Sequence, residues 1–334
     1  MAGTGTAHLR PGDASVLRVE HLVVEFRVRG GTVHAVSDVS LDAVEGETLG
    51  LVGESGCGKS TTGRAIMQLV RPTSGRVLLE GLDLTRVQGE ELRRMRSRFQ
   101  MIFQDPISSL NPRRKVSDIV AEGLDIWQSR SAADRERVVT ETLAAVGLDP
   151  NNVADKRPHE LSGGQCQRVC IARSVVLDPK VLICDEPVSA LDVSVQAQIL
   201  DLLGEMRTRY RLTMVFIAHD LAVVKNISDR VAVMYLGKLC EVAPSDELYA
   251  SPAHPYTDAL LRAVPVPDPT VRRAREEHIS GEPPSPIDPP SGCRFRTRCP
   301  LAQQRCADEE PQMRRVRDDH FVACHFPLVE PEAS

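Results

Sequence analysis

The sequence predicts an α/β fold in which short buried strands are followed by helices. Apolar stretches of strand length, such as 48–52 and 181–184, lead into turn residues and then into segments with helical spacing. A glycine-rich loop joins the first of these strands to the helix behind it. The chain has 334 residues, more than one average domain needs, which leaves room for a smaller second module.

Composition and charge exclude several function classes. Apolar residues make up 42% of the chain and charged residues 26%, as in ordinary globular proteins. The formal net charge of −5 gives no support to a nucleic-acid binder, which usually carries a basic excess. No apolar run approaches the roughly 18 residues of a membrane span, and Met1–Thr6 lack the features of a signal peptide. We therefore expect a cytoplasmic protein that reaches a membrane only through a partner.

The first part of the chain alternates apolar and polar residues in strand fashion. The alternation runs over 17–26 and again over 33–41, and Gly30 and Gly31 supply a turn between them. This pattern predicts an N-terminal antiparallel β subdomain.

The segment Gly53–Ser60 has the pattern Gly-x4-Gly-Lys-Ser between the predicted strand 48–52 and a predicted helix over 61–69. In this context the glycines let backbone N–H groups turn inward around a phosphate, and the helix N-terminus adds positive potential. Lys59 would reach the β- and γ-phosphates, and the Ser60 hydroxyl would bind Mg²⁺. The alternative is a glycine turn with a solvated lysine.

A second strand, 181–184, ends in Asp185 and Glu186. Carboxylates at the end of a buried strand suit a nucleotide site in an open α/β sheet. Asp185 would hold Mg²⁺ through water, and Glu186 would polarise the attacking water. By itself the pair also fits a helix N-cap.

The segment Leu161–Gln165 precedes a predicted helix over 166–176. A serine and two glycines at a helix N-terminus make a second anion-binding end, although a simple serine cap has the same appearance. Two such ends with one lysine-bearing loop suggest that the second end serves a nucleotide held by another copy.

Together these segments resemble the ATP-binding cassette (ABC) ATPases over residues 15–262, with a helical subdomain at about 95–175. Gly53–Ser60 is similar to the Walker A loop, Leu161–Gln165 to the signature motif and Val181–Glu186 to Walker B. The resemblance implies that Glu186, His219 and Gln104 are catalytic, and that Ser60, Gln104 and Asp185 hold Mg²⁺. It implies nucleotide contacts from Phe26, Gly53, Ser55, Gly56, Cys57, Gly58, Lys59, Ser60, Thr61, Gln104, Asp185, Ser162, Gly163, Gly164, Gln165 and Asp192. His34 is an alternative to Phe26 beside adenine.

The resemblance also implies the P-loop NTPase cassette fold and a mechanism. Two cassettes, identical or paralogous, would enclose ATP, with Ser162 and Gly164 of one reaching the nucleotide of the other. Hydrolysis would release them and move two transmembrane permease subunits, with the chain bound peripherally at the cytoplasmic face of the cell membrane.

Further segments resemble the branch that serves oligopeptide and dipeptide importers. They are 104–112, 192–196, 254–261 and 292–300. This implies peptide import with an indirect role for an extracytoplasmic peptide-binding protein. Import of nickel or another small solute is an alternative, as is a soluble ABC ATPase with a redox-sensing cysteine cluster.

The C-terminal part, 263–334, begins with a proline-rich stretch, which predicts an extended linker before a small cysteine-rich module. Four of the nine cysteines lie in this module, at Cys293, Cys299, Cys306 and Cys324. A dense group in a reducing compartment points to metal, although the paired spacing of structural zinc sites is missing. The resemblance implies a [4Fe–4S] cluster; zinc and reduced thiols are the alternatives.

Overall fold

The computed structural model describes residues 5–11, 14–127, 130–264 and 281–329. In chain order the strands are β1 (Ser15–Val28), β2 (Gly31–Val44), β3 (Thr48–Val52), β4 (Ser74–Leu79), β5 (Leu82–Asp83), β6 (Phe99–Ile102), β7 (Val181–Asp185), β8 (Thr213–Ala218), β9 (Arg230–Tyr235), β10 (Lys238–Pro244), β11 (Arg314–Arg317) and β12 (His320–Val322). The helices are α1 (Lys59–Ile66), α2 (Gly89–Met95), α3 (Pro106–Ser109), α4 (Val116–Trp127), α5 (Ala132–Ala145), α6 (Pro150–Val153), α7 (Gly163–Val175), α8 (Val193–Tyr210), α9 (Leu221–Lys225), α10 (Ser245–Ala250), α11 (Pro255–Ala263) and α12 (Gln304–Asp308).

The chain divides into two compact units. The first unit comprises Met1–Ala43, Thr48–Thr85 and Ala218–Ser334, and the second comprises Val44–Glu47 and Arg86–Ile217. The second unit contains most of the helices of the described residues and includes strands as well. The helical subdomain at about 95–175 stays a prediction.

An antiparallel sheet of the first unit has the strand order β2-β1-β4-β5. The buried apolar side chains of β1 are Leu17, Val19, Leu22 and Val24. Their alternation slips by one residue because β1 carries a bulge opposite β4, where His21 has a φ of 51°. The bulge keeps the apolar residues on the buried side, and the predicted N-terminal antiparallel sheet is confirmed.

The other strands of the first unit neighbour one another in the order β11-β12-β10-β9-β3, with β3 and β9 parallel. The C-terminal strand β12 pairs with β10 and is fixed there by a buried carboxylate. Glu241 on β10 accepts hydrogen bonds from the N–H groups of Ala253 and His254, and its carboxylate lies 2.6 Å from His320 Nε2. Because these bonds satisfy a fully buried charge, they tie the C-terminal strands to the first unit.

In the second unit β8, β7 and β6 form a parallel set in which β7 lies between the other two. Helix α7 is the centre of the helical part and packs against α3, α4, α5 and α8. Its buried side chains include Val169, Cys170 and Ile171, which matches the apolar spacing of the sequence.

Part of the predicted linker, residues 265–280, lies outside the described residues. The described residues that follow, 281–290, form no helix or strand, as their prolines predict. No helix in the described part of the chain is both long enough and apolar enough to cross a bilayer.

Candidate functional site

The glycine-rich loop follows β3 and leads into α1. Gly53 and Gly58 have φ values of 151° and 105°, which few side-chain-bearing residues adopt. A Cβ at Gly53 would lie 2.0 Å from the Met234 carbonyl oxygen, and one at Gly58 would lie 2.1 Å from that of Ala35. Both glycines are therefore required for the loop to pass so close to β9 and β2.

Lys59 starts α1 and is only 4% exposed. Its Nζ donates hydrogen bonds to the carbonyl oxygens of Gly53 at 2.7 Å and Glu54 at 2.9 Å. Gly58 caps α1 without a side chain. The loop thus combines an ammonium group with the N-terminus of a helix, an arrangement that suits a polyphosphate.

Cys57 is buried inside the same loop, with its Sγ 3.8 Å from Lys59 Nζ. Burial raises the pKa of this thiol, so it stays protonated at neutral pH. Its carbonyl oxygen accepts a hydrogen bond from the Gly237 N–H group. The residue therefore contributes backbone and packing to the loop rather than a reactive sulfur.

In the second unit, β7 is buried along its whole length and ends at Asp185, which is fully buried. Glu186 follows with a φ of 48°, and its N–H group donates to the Ile217 carbonyl oxygen at 2.9 Å. Gln104 Nε2 donates to Glu186 Oε2 at 2.9 Å. A left-handed backbone at a non-glycine residue is uncommon, and here the Ile217 and Gln104 hydrogen bonds hold the backbone and the carboxylate of Glu186 in place.

The signature segment forms a reciprocal cap at the start of α7. The Gln165 N–H group donates to Ser162 Oγ at 3.3 Å, and the Ser162 N–H group donates to Gln165 Oε1 at 3.0 Å. A Cβ at Gly164 would lie 2.8 Å from Val195 Cγ1 on α8. The serine-cap alternative is thus realised in the structure, and it is compatible with an anion-binding end.

The residues after Gln104 are tied to α7. Cys170 Sγ lies 3.3 Å from Ser109 Oγ, and the Arg173 guanidinium donates to the Ser109 carbonyl oxygen at 2.6 Å. Burial raises the pKa of the Cys170 thiol. Cys170 and Arg173 therefore fix the position of the segment that carries Gln104 relative to the signature helix.

Three further predicted residues, His219, Phe26 and Asp192, are exposed. His219 is exposed directly after β8. Phe26 is 39% exposed near the end of β1, and the neighbouring His34 Nδ1 hydrogen-bonds Glu25 at 2.8 Å. Asp192 is the N-cap residue of α8 and stands next to the exposed Val193.

The predicted site residues are divided between the units. The first unit holds Phe26, Gly53, Ser55, Gly56, Cys57, Gly58, Lys59, Ser60, Thr61 and His219, and the second holds Gln104, Ser162, Gly163, Gly164, Gln165, Asp185, Glu186 and Asp192. Direct contacts join Gln104 to Glu186 and Ser162 to Gln165. The individual roles of these residues stay predictions.

Sequence reasoning missed the side chains that hold Glu54. The Glu54 N–H group donates to Tyr256 Oη at 2.9 Å, and Arg298 forms an ion pair with its carboxylate. Both partners are more than 200 residues away along the chain, so no local pattern could have indicated them.

The four C-terminal cysteines line one small cavity, together with His254, Phe295, Arg296, Leu301, His325 and Phe326. Burial raises the pKa of three of the thiols, those of Cys293, Cys299 and Cys324, and nearby backbone N–H groups lower it in part. Burial raises the pKa of Cys293 to about 11 and that of Cys324 to about 12. Within the described residues no group of three or more His, Cys, Asp or Glu is placed to hold a metal ion. The structure therefore supports neither a zinc site nor an iron–sulfur cluster, and among the described residues it shows a shared thiol cavity rather than a formed metal site.

Comparison with known proteins agrees with this geometry. Residues 36–189 match the ABC transporter family, and residues 240–306 match the family described as the C-terminal region of oligopeptide/dipeptide transporters. The chain is 52% identical over 320 residues to the oligopeptide transport ATP-binding protein OppF of Salmonella typhimurium, covering 92% of this chain and 95% of that protein. It is 49% identical to OppF of Haemophilus influenzae, covering 92% of this chain and 96% of that protein.

Solved structures show the same fold. The ATP-binding cassette MJ0796, determined as a dimer in a post-hydrolysis state with ADP and Pi, matches with a TM-score of 0.63 and 27% identity, over 69% of this chain and 98% of that one. CbiO1 of Clostridium perfringens, part of the ABC transporter complex cbiONQ, matches with a TM-score of 0.63 and 30% identity, over 71% of this chain and 91% of that one. On these findings, the chain belongs to the ATP-binding subunits of the oligopeptide/dipeptide ABC transporter family.

Proposed function

We propose that this chain hydrolyses ATP to drive uptake of peptides through two permease subunits, bound at the cytoplasmic face of the membrane and paired with a second cassette. The observation that carries the proposal is the 2.9 Å hydrogen bond between Gln104 and Glu186. The bond joins the Glu186 carboxylate to the Gln104 amide, and Glu186 has a left-handed backbone conformation. The family resemblance implies that Gln104 lies beside Mg²⁺ and the attacking water. Family membership supports the transport role and the permease partners.

Each residue has a defined task in this proposal. Lys59 and the backbone of the glycine-rich loop bind the β- and γ-phosphates. Ser60 and Asp185 would hold Mg²⁺, which would supply positive charge to the phosphates. Glu186 accepts a proton from water that Gln104 orients, and His219 contacts the γ-phosphate. Ser162 and Gly164 of the opposing cassette close the site, and Asp192 lies at the same interface.

The experiment is an ATPase assay of the full chain reconstituted with its permease subunits and partner cassette in proteoliposomes. Addition of a peptide-loaded binding protein should stimulate hydrolysis, and Lys59→Ala should abolish it. Stimulation by a nickel-loaded binding protein instead would replace peptide with a metal ion as the substrate. ATPase activity of the Lys59→Ala variant equal to that of the wild type would contradict the proposed phosphate site.

We further propose that Cys293, Cys299, Cys306 and Cys324 hold an iron–sulfur cluster. The proposal rests on their common cavity, because four cysteine thiolates are the usual ligands of such a cluster. When bound, such a cluster would cross-link the C-terminal module through iron–thiolate bonds.

Anaerobic purification tests the cluster proposal. Iron and sulfide analysis should find both elements, with broad absorption near ~400 nm that Cys299→Ser diminishes. A colourless preparation without iron would contradict the cluster.

A further inference from the structure

Glu54 places a carboxylate in the second position of the glycine-rich loop, beside the site proposed for a polyphosphate. A negative charge there opposes binding of ATP by Coulomb repulsion unless a cation neutralises it. We propose that Arg298 is a positioning residue of this loop, which neutralises and fixes Glu54, so that the C-terminal cysteine segment sets the affinity for ATP. The inference rests on the proposed function, because it concerns the same ATP site.

The contact between Arg298 and Glu54 is bidentate. Arg298 Nη1 donates to Glu54 Oε2 at 2.7 Å, and Nη2 donates to Oε1 at 3.0 Å. The Arg298 side chain is 6% exposed and that of Glu54 is 25% exposed. Paired, planar geometry with little solvent access makes this pair stronger than the exposed ion pairs elsewhere on the chain.

Backbone contacts fix Glu54 as well. Its N–H group donates to Tyr256 Oη at 2.9 Å, and its carbonyl oxygen accepts from Lys59 Nζ at 2.9 Å. The same residue therefore connects Arg298 and Tyr256 to the lysine that would bind the phosphates. A shift of Glu54 would be transmitted directly to Lys59.

An aromatic cluster holds Arg298 in place. Its guanidinium carbon lies 5.8 Å from the centre of the Tyr235 ring, and Nη1 is 3.4 Å from Tyr235 Oη. Phe295, three residues earlier, packs against Tyr235 and Tyr256 with ring centroids 5.2 Å apart in each case. These rings are buried, so Arg298 has little freedom to leave the carboxylate.

Arg294 makes a second connection between the cysteine segment and the loop region. Its guanidinium donates to the Leu236 carbonyl oxygen and, at 2.9 Å, to Ser37 Oγ. Gly237, next to Leu236, donates its N–H group to the Cys57 carbonyl oxygen at 2.8 Å. The segment from Arg294 to Arg298 thus contacts the loop directly at Glu54, and it contacts the turn at Leu236 and Gly237 that binds Cys57.

The test compares ATP affinity of the full chain across a double-mutant cycle, with binding measured by isothermal titration calorimetry. Arg298→Gln should weaken ATP binding about five- to tenfold, because the negative charge of Glu54, in the loop proposed to bind the phosphates, then loses its neutralising cation. Adding Glu54→Gln should recover most of the lost affinity, since it removes the repelling charge. Raising the salt concentration should shrink the deficit of Arg298→Gln.

The matched control is Arg305→Gln, which removes a positive charge and an Arg–Glu pair from the same segment. Arg305 and Glu309 are 59% and 58% exposed and lie outside the loop region. This variant should bind ATP as the wild type does. Arg298→Lys, which keeps the charge but loses the bidentate contact, should fall between the wild type and Arg298→Gln.

The measurements separate the role of Arg298 from the existence of the ATP site. If the wild type binds ATP and Lys59→Ala does not, the ATP site stands. Equal affinity of Arg298→Gln and the wild type would then overturn the role of Arg298. A double variant as weak as Arg298→Gln would also overturn it, because a purely structural defect cannot be rescued by removing the carboxylate.

Discussion

Glu186 follows the buried Asp185, has a left-handed backbone conformation and accepts a hydrogen bond from Gln104. Its φ of 48° costs the folded chain on the order of 1 kcal/mol or more, which the surrounding bonds must offset. The Ile217 carbonyl oxygen and Gln104 provide two of those bonds. These two bonds hold the backbone and the carboxylate of Glu186 in the positions that the structure shows.

His8 provides a residue-scale prediction about pH. Its ring is buried against the Ser40 carbonyl oxygen, and burial lowers the pKa of His8 below the ordinary 6.5. Between the lowered folded-state pKa and 6.5, the unfolded chain binds more protons than the folded one, so stability is lost as pH falls. Urea unfolding at pH 7.5 and 5.5 should show a smaller loss for His8→Gln, which keeps an N–H donor without titrating. Equal losses in the variant and the wild type would contradict this role.

The candidate site residues could be predicted where a short sequence pattern marks them, but the long-range contacts that hold them could not. Lys59 follows a glycine of the Gly-x4-Gly-Lys-Ser pattern, and Glu186 follows an apolar strand. Both patterns are visible in the sequence. The backbone conformation of Glu186 depends on its hydrogen bond to the Ile217 carbonyl oxygen. The position of the Glu54 carboxylate depends on its ion pair with Arg298, far along the chain. Such long-range contacts leave no periodic trace in a single sequence.

The glycine-rich loop gives a prediction at the scale of an element. Gly58→Ala should lower the free energy of unfolding by about 3 kcal/mol or more, because its Cβ would strike the Ala35 carbonyl oxygen at 2.1 Å. Gly56→Ala is the matched control: Gly56 also has a positive φ, 78°, but no atom of the described residues lies within 4 Å of its Cβ position. It should cost only about 1–2 kcal/mol. Equal losses by urea denaturation would show that contact with β2 is unimportant.

The signature helix gives a second prediction at this scale. Ser162→Arg should leave ATP binding to the isolated chain within about twofold, yet lower ATPase activity of the assembled transporter at least about tenfold, because a bulky cation at the start of α7 would block the opposing nucleotide. Ser131→Arg is the control, since Ser131 caps α5 by accepting from Asp134 in the same way. Lost ATP binding in the isolated Ser162→Arg variant would place the serine in its own chain's site.

Strands and helices were predicted well where the residues of the element itself carry its apolar pattern and its cap. The strand 48–52 appears with the predicted bounds, and α7 begins three residues before the predicted 166 because Ser162 and Gln165 cap it. The strands β11 and β12 were missed, since both are short and depend on β10 and on buried Glu241 for their stability. Strand β6 was likewise hidden in a region that the sequence indicates to be mainly helical.

The whole molecule is organised as two units that each carry part of the proposed machinery. The first contains the lysine-bearing loop and the cysteine module, and the second contains Glu186 and the signature helix. The glycine-rich loop, the Asp185–Glu186 pair and the signature segment could be predicted from the sequence, because each is short and lies at the end of a strand or the start of a helix. It could not show that the C-terminal segment reaches back to Glu54, because that contact is made only in the folded first unit.

Glu186 is proposed to act as the general base for ATP hydrolysis at the phosphate site of Lys59. The test is the steady-state ATPase rate of Glu186→Gln in the assembled transporter, together with its ATP affinity. We expect ATP binding to be retained and hydrolysis to slow at least about a hundredfold, because the amide cannot accept the proton from water. Hydrolysis at the wild-type rate would contradict it.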